Sequence, residues 1–240
     1  MPRAPEHDEE LIRAGLAVKA VGMSVGYRDL EALSDIRFEA RAGEVTVISG
    51  QAGAGKTTFT RALRLSLALR SGALFLFGVD VGKLPALRRA RLRRRIGVME
   101  ETPLFVEHWN AADNVALPLL LAGQDRRAVD HDVSELLSFV GALDNATPVA
   151  ELSAAQRKQV SLARALAAKP DLLLADEPAA GFSPEAGGRV LRVLHEMRKL
   201  GAAVIIATQD PDLADDMGAS HWRLDRGRLS LLSHNRDRRP

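Results

Sequence analysis

Apolar and polar positions alternate weakly along Leu16–Tyr27, and a second short run of the same kind covers residues 36–40, ahead of a polar turn at residues 41–44. Such alternation predicts half-buried strands. Val45–Ser49 is β-branched almost throughout, which predicts a strand buried on both faces. Residues 56–69 carry helical spacing that runs out at Ser71-Gly72, and residues 73–77 with Gly78 read as a further strand and its turn. Residues 85–95 predict a basic helix with Leu87 and Leu92 turned inward, and residues 102–165 are helix-rich around a loop at residues 122–125. Strands at residues 171–175 and Ala203–Thr208 flank a helix at residues 184–200. Strand, helix, strand in that order implies a parallel sheet with crossover helices. The chain therefore reads as an α/β protein. Its core spans about residues 16–100 and 166–232, with a helical subdomain inserted at about 101–165. Residues 1–15, polar and proline-containing, are expected to be a disordered lead-in, and residues 233–240 a charged tail.

Composition narrows the function more than the fold. The 240 residues are 46% hydrophobic and 27% charged, enough apolar content for a sizeable core. Cysteine is absent, which excludes disulfides and thiolate metal sites, and the six histidines are scattered at no ligand spacing. The longest apolar runs, near residues 115–122 and 162–168, fall far short of the roughly 20 residues that span a bilayer. Residues 1–10 are acidic and lack an apolar signal core, so export is not expected. A net charge of +2 does not mark the whole molecule as a polyanion binder.

Two short segments carry the chemistry. Gly50-Gln51-Ala52-Gly53-Ala54-Gly55-Lys56-Thr57, continued by Thr58, fits the Gly-x-x-x-x-Gly-Lys-[Ser/Thr] pattern. Its glycines let backbone N–H groups turn inward toward phosphate oxygens, and the helix starting near Lys56 adds the positive end of its dipole. Lys56 would bring a full charge to the outer phosphates, and the Thr57 hydroxyl can ligate magnesium. A glycine-rich turn matching by accident would not also have a buried strand before it and a helix after it. The second segment, Leu172-Leu-Leu-Ala-Asp176-Glu177, ends an apolar strand in two acids, placing both carboxylates beside the phosphate loop. Asp176 suits the magnesium shell, and Glu177 the polarising of an attacking water.

With these segments in hand, the chain resembles the ATP-binding subunits of ABC transporters. Within them it is most similar to the cell-division proteins of the FtsE family. The likeness runs from about residue 16 to 230. It is carried by Gly53-Ala-Gly-Lys-Thr-Thr58, Leu92-Arg-Arg-Arg-Ile-Gly-Val98, Asp113-Asn-Val-Ala-Leu-Pro118, Ala163-Arg-Ala165 and Leu173-Leu-Ala-Asp-Glu-Pro178. Lipoprotein- and macrolide-type exporter subunits share much of it. The resemblance implies a P-loop NTPase core with a mixed or parallel sheet, an N-terminal antiparallel β part and an inserted helical subdomain. It implies ATP and magnesium as ligands, with Tyr27 stacked on the adenine. It also implies head-to-tail pairing of two cassettes, as homodimer or heterodimer, in which residues 153–156 of one meet the loop 50–58 of the other. An FtsX-like or other ABC permease would dock near residues 101–120, leaving this chain cytoplasmic and peripheral on the inner face of the membrane. Nucleic acid is not an expected partner.

The departures from that family concern the γ-phosphate. The signature Leu-Ser-Gly-Gly-Gln becomes Leu152-Ser153-Ala154-Ala155-Gln156, adding two Cβ atoms where backbone approaches an anion. The family's magnesium-side glutamine aligns with Glu101, its switch histidine with Gln209, and an aspartate beyond the second segment with Ser183. Glutamine donates a hydrogen bond but carries no charge. Nucleotide binding is expected to persist, with hydrolysis slow or absent. The competing expectation is that Glu101 and Gln209 compensate by exchanging acidic and amide roles. Arg88, Arg89, Arg91, Arg93, Arg94 and Arg95 form a dense basic run, read first as a solvated helix face and second as a contact for anionic lipid or a partner's acidic loop.

Overall fold

The computed structural model describes residues 15–28, 30–142 and 147–234. The expected lead-in, apart from Gly15, and the last six residues of the expected tail lie outside them. β1 (Leu16–Tyr27) pairs antiparallel with β2 (Leu30–Arg41) and with β4 (Leu69–Leu76). β5 (Val79–Asp80) completes a four-stranded sheet in the order β2-β1-β4-β5. The second sheet has six strands in the order β10-β9-β3-β8-β7-β6. They are β3 (Val45–Ser49), β6 (Ile96–Met99), β7 (Leu172–Asp176), β8 (Ala203–Thr208), β9 (Ser220–Asp225) and β10 (Arg228–Ser233). All neighbours in this sheet run parallel except β9 and β10, which form a hairpin.

The helices follow the same logic of burial. α1 (Lys56–Leu63) leaves β3 through the glycine-rich loop, and α6 (Pro184–Lys199) crosses from β7 to β8. α2 (Ala86–Arg93) is the basic helix, and α7 (Leu213–Asp216) is one turn. α3 (Ala111–Leu121), α4 (Arg126–Phe139) and α5 (Ala154–Ala167) form the helical region. Two apolar cores result. One lies between the two sheets around α1, with Phe38 edge-on to Phe59 and Trp222 at 5.1 and 5.2 Å. The other fills the opposite face of the six-stranded sheet and continues among α3, α4 and α5.

Three expectations need correction. The helix predicted over 56–69 stops at Leu63. Ser66 N–H reaches back to the Arg61 carbonyl and Leu65 takes a left-handed φ of 61°, a Schellman ending, so the chain is free to enter β4 at Leu69. β2 is longer than the predicted run at residues 36–40, because its polar residues pair with β1. Leu92 is buried as expected, but Leu87 is 68% exposed: α2 packs through little more than one residue, so it has no second inward position to fill.

Candidate nucleotide-binding site

Parallel pairing assembles the site at the carboxyl edge of the six-stranded sheet. Ser49 is level with Thr208, Asp176 with Ala207 and Met99 with Ala175, so the segments after β3, β8, β7 and β6 emerge side by side. This register brings Gly50–Thr58, Gln209, Asp176, Glu177 and Glu101 into one neighbourhood. Gly55 is the N-cap residue of α1 at φ 110°, and a Cβ there would lie 2.8 Å from the Leu33 side chain, so the position is closed to other residues. No side chain caps α1, and its first-turn N–H groups belong to Lys56, Thr57 and Thr58. Among the described residues no side chain caps them, which leaves them available to an anion.

The charged groups are held tightly. Lys56, only 7% exposed, donates to the carbonyls of Gly50 (2.7 Å) and Gln51 (3.3 Å) and lies 3.5 Å from Glu177 Oε1. Thr57 donates its hydroxyl to Asp176 Oδ2 at 2.8 Å, and Thr208 donates to Glu177 Oε2 at 3.2 Å. Asp176 Oδ1 and Glu177 Oε1 are buried without a hydrogen-bond donor among the described residues. Burial, reinforced by Glu101 and Glu177, pushes the Asp176 carboxyl above the ordinary aspartate range. Buried orphan carboxylate oxygens beside a threonine hydroxyl are a hard, all-oxygen donor set, which fits magnesium. Thr57, Glu101 and Asp176 line one partly open cavity of about 220 Å³, together with Thr60, Val98 and the Arg64–Glu100 ion pair. Glu101 itself is solvent-exposed at its rim.

The remaining predicted residues fall in separate places. Tyr27 ends β1, is 38% exposed, and accepts at its hydroxyl from Arg61 of α1 at 3.3 Å. Ser153 caps α5, with Gln156 N–H donating to its hydroxyl and Ser153 N–H donating to Gln156 Oε1. Ala154 and Ala155 are the first two helical residues, so neither position demands glycine's conformational range; only their bulk departs from the family pattern. No hydrogen bond or ion pair among the described residues joins Ser153, Ala154, Ala155 or Gln156 to the loop 50–58 of the same chain. Ser183 caps α6 through Ala186 N–H, a task serine performs as well as aspartate.

Sequence reading missed three contributors. Thr208, which orients Glu177, gives no signal beyond ending a strand. Lys158 donates to the backbone oxygens of Glu177 and Ala180 from α5; its signal was a charge on that helix's apolar stripe. The β9–β10 hairpin walls the loop: Gly227 N–H donates to the Ala54 carbonyl at 3.0 Å, and Ser49 Oγ lies 2.8 Å from His221 Nε2. Polar Ser220-His-Trp-Arg gave no strand signal.

The geometry has counterparts among known proteins. A family model described as ABC transporter matches residues 33–180. The chain belongs to the ABC transporter family. This ABC protein is 36% identical over 206 residues to the methionine import ATP-binding protein MetN 1 of Rhodococcus jostii (strain RHA1), across 85% of this chain and 61% of that one. It is 32% identical over 239 residues to MetN of Rhizobium meliloti (strain 1021), across 99% and 67%. It thus spans about two thirds of the length of these relatives or less. Among solved structures it is similar to cbiO1 from Clostridium perfringens, described as part of the ABC transporter complex cbiONQ. That match has a TM-score of 0.80 and 26% identity, over 93% of this chain and 90% of that one. The dimeric ATP-binding cassette MJ0796 bound to ADP and Pi matches with a TM-score of 0.82 over 90% and 99%; at 23% identity this shows the shared fold alone. The ABC cassette fold expected from sequence is therefore the one observed. The narrower likeness to FtsE is not carried by these relatives, whose names concern methionine import.

Proposed function

We propose that this ABC protein is the ATP-binding subunit of a membrane complex: it takes up ATP with magnesium, closes on a second cassette, and so moves a membrane-embedded partner. The observation that carries this reading is the convergence of Lys56, Thr57, Asp176 and Glu177 around orphaned oxygens at the start of an uncapped helix. Lys56, now shared between two loop carbonyls and Glu177, is placed to transfer its donors to the outer phosphates. Tyr27 offers its exposed ring to the adenine. Magnesium, held by Thr57 and Asp176 with Glu101 nearby, would neutralise charge on the bridging and terminal phosphate oxygens. Glu177, oriented through Thr208, leaves Oε1 to polarise an attacking water.

Hydrolysis is slow in this proposal. Gln209 stands where a histidine would add charge, Glu101 adds an acid beside the triphosphate, and Ala154 and Ala155 thicken the surface offered to a partner's γ-phosphate. Removing one transition-state donor costs about 100-fold or more in rate.

The membrane partner would seat in an apolar groove of about 520 Å³ between α3 and β6, formed by Leu117, Pro118, Leu121 and Ala122 with Arg93 and Arg94 at its edge. No helix among the described residues is long and apolar enough to cross a membrane, so the partner supplies that part. The names of the relatives favour an import permease. An FtsX-like partner, and the lipoprotein and macrolide exporters, rest on the motif likeness at residues 92–98 and 113–118 alone. A neighbouring gene for a four-span permease with a large extracytoplasmic loop would reverse that order.

Titration with a fluorescent ATP analogue tests the core of the proposal. Lys56→Ala removes charge-assisted bonds worth about 3 kcal/mol, so affinity is expected to fall about 100-fold. Unchanged affinity, or no binding by the natural chain, would overturn the assignment.

A further inference from the structure

Helix α5 is apolar on the face it turns to the core, with one charged exception. Lys158, Leu162 and Leu166 recur every fourth residue, one above the next on a helix, and Lys158 is only 9% exposed. Its ammonium donates to the Glu177 carbonyl at 3.0 Å and to the Ala180 carbonyl at 2.6 Å. Those carbonyls belong to the loop after β7, whose first residue, Glu177, holds a left-handed backbone at φ 47°. For a residue other than glycine this costs on the order of 1–3 kcal/mol and persists only where neighbours over-determine it. The Glu177 backbone has three such anchors: its N–H donates to the Ala207 carbonyl at 2.8 Å, and its carbonyl accepts from Lys158 at 3.0 Å and from Ala180 N–H at 3.3 Å. The helix that carries Lys158 begins at the Ser153 cap, little more than one turn away. Burial lowers the Lys158 pKa, while the carboxylates of Glu101, Glu177 and Asp176 favour its charged form.

We propose that Lys158 is a positioning residue that ties the backbone posing Glu177 to the helix carrying residues 153–156. A partner cassette that engages those residues and the setting of the base then become one event. The hydrogen bonds of the Lys158 ammonium go to the carbonyls of Glu177 and Ala180, and it acts through them. The tie is a property of one chain, whereas its consequence for pairing rests on the dimeric reading proposed above.

The full-length Lys158→Met variant tests both parts, with thermal melting to establish that it folds. In the nucleotide-free chain, amide hydrogen exchange across residues 177–183 is expected to rise at least tenfold, with β3 and β8 within twofold of the natural protein. The protein concentration at the midpoint of ATP-driven dimerisation, from analytical ultracentrifugation, is expected to rise at least tenfold. Affinity of the monomer for a fluorescent ATP analogue is expected to stay within twofold. Lys158→Gln, whose amide keeps two donors without the charge, should fall between. Unchanged exchange at residues 177–183 would overturn the proposal, as would an equal rise in β3 and β8, which marks a general loss of stability. If Lys158→Met does not fold, Lys158→Gln decides: a rise of threefold or more at residues 177–183 supports the tie, and less refutes it. A natural chain that neither binds ATP nor dimerises would defeat the proposed function, and exchange would still decide the tie.

Discussion

Asp176 shows how far the site departs from what stability alone would select. It is 5% exposed, and burial, with Glu101 and Glu177 adding to it, raises its pKa against the opposing hydrogen bond from Thr57. The folded chain therefore binds this proton more tightly than the unfolded chain. Its stabilising contribution is complete below the ordinary aspartate pKa and is lost as pH rises through the higher folded value. Ionising this buried carboxylate is a cost, which the proposed magnesium would offset. Asp176→Asn should raise the metal-free melting midpoint at pH 7.5, at about 2–4 °C per kcal/mol for a chain of this size. The gain should shrink toward pH 4, and magnesium with ATP should no longer add to it. Fluorimetric melts with and without Mg-ATP measure this, and a lower midpoint at pH 7.5 would contradict the argument.

At the scale of elements, the contact of α5 with β6 leaves no room for a side chain. A Cβ on Gly97 would stand 2.2 Å from the Ala165 carbonyl, backbone against backbone, so neither side can yield by rotating a side chain. Gly97→Ala should destabilise the protein by about 2–3 kcal/mol, read from urea unfolding, and a loss under 0.5 kcal/mol would show that the helix can shift. The legible elements were those whose signal is local. β3, the glycine loop and β7 with its two acids stand in the sequence as contiguous apolar runs punctuated by glycine or carboxylate. β6 was hidden because four residues, Ile96–Met99, follow directly on an arginine run whose charge dominates any window. The true end of α1 was hidden because Leu65, Leu67 and Leu69 continue an apolar pattern that serves the sheet, not the helix. In the site, Lys56, Asp176 and Glu177 could be read from order along the chain. Thr208 could not, and Lys158 showed only as a charge on an apolar stripe, since their roles exist only once β8 and α5 are packed beside β7.

For the whole molecule, the question is whether the altered positions act separately or as a set. Glu101 follows β6, Gln209 follows β8, and Ala154 and Ala155 open α5, where in the proposed pairing they would meet a partner cassette. Restoring all four together (Glu101→Gln, Ala154→Gly, Ala155→Gly, Gln209→His) is expected to raise phosphate release at least tenfold at saturating Mg-ATP. A revertant no faster than the natural chain would mean that the four compensate one another. The wall that Gly227 and His221 build against the phosphate loop has a consequence in time. The glycine motif is translated well before the backing that holds its curve, since Gly50–Thr58 precedes β9 and β10 along the chain. A growing chain that has only passed residue 58 carries the letters of the motif without its cup, so nucleotide capture is expected to wait for the β9–β10 hairpin to leave the ribosome. A message broken before Ser220 should yield a product that matches the pattern and ignores ATP.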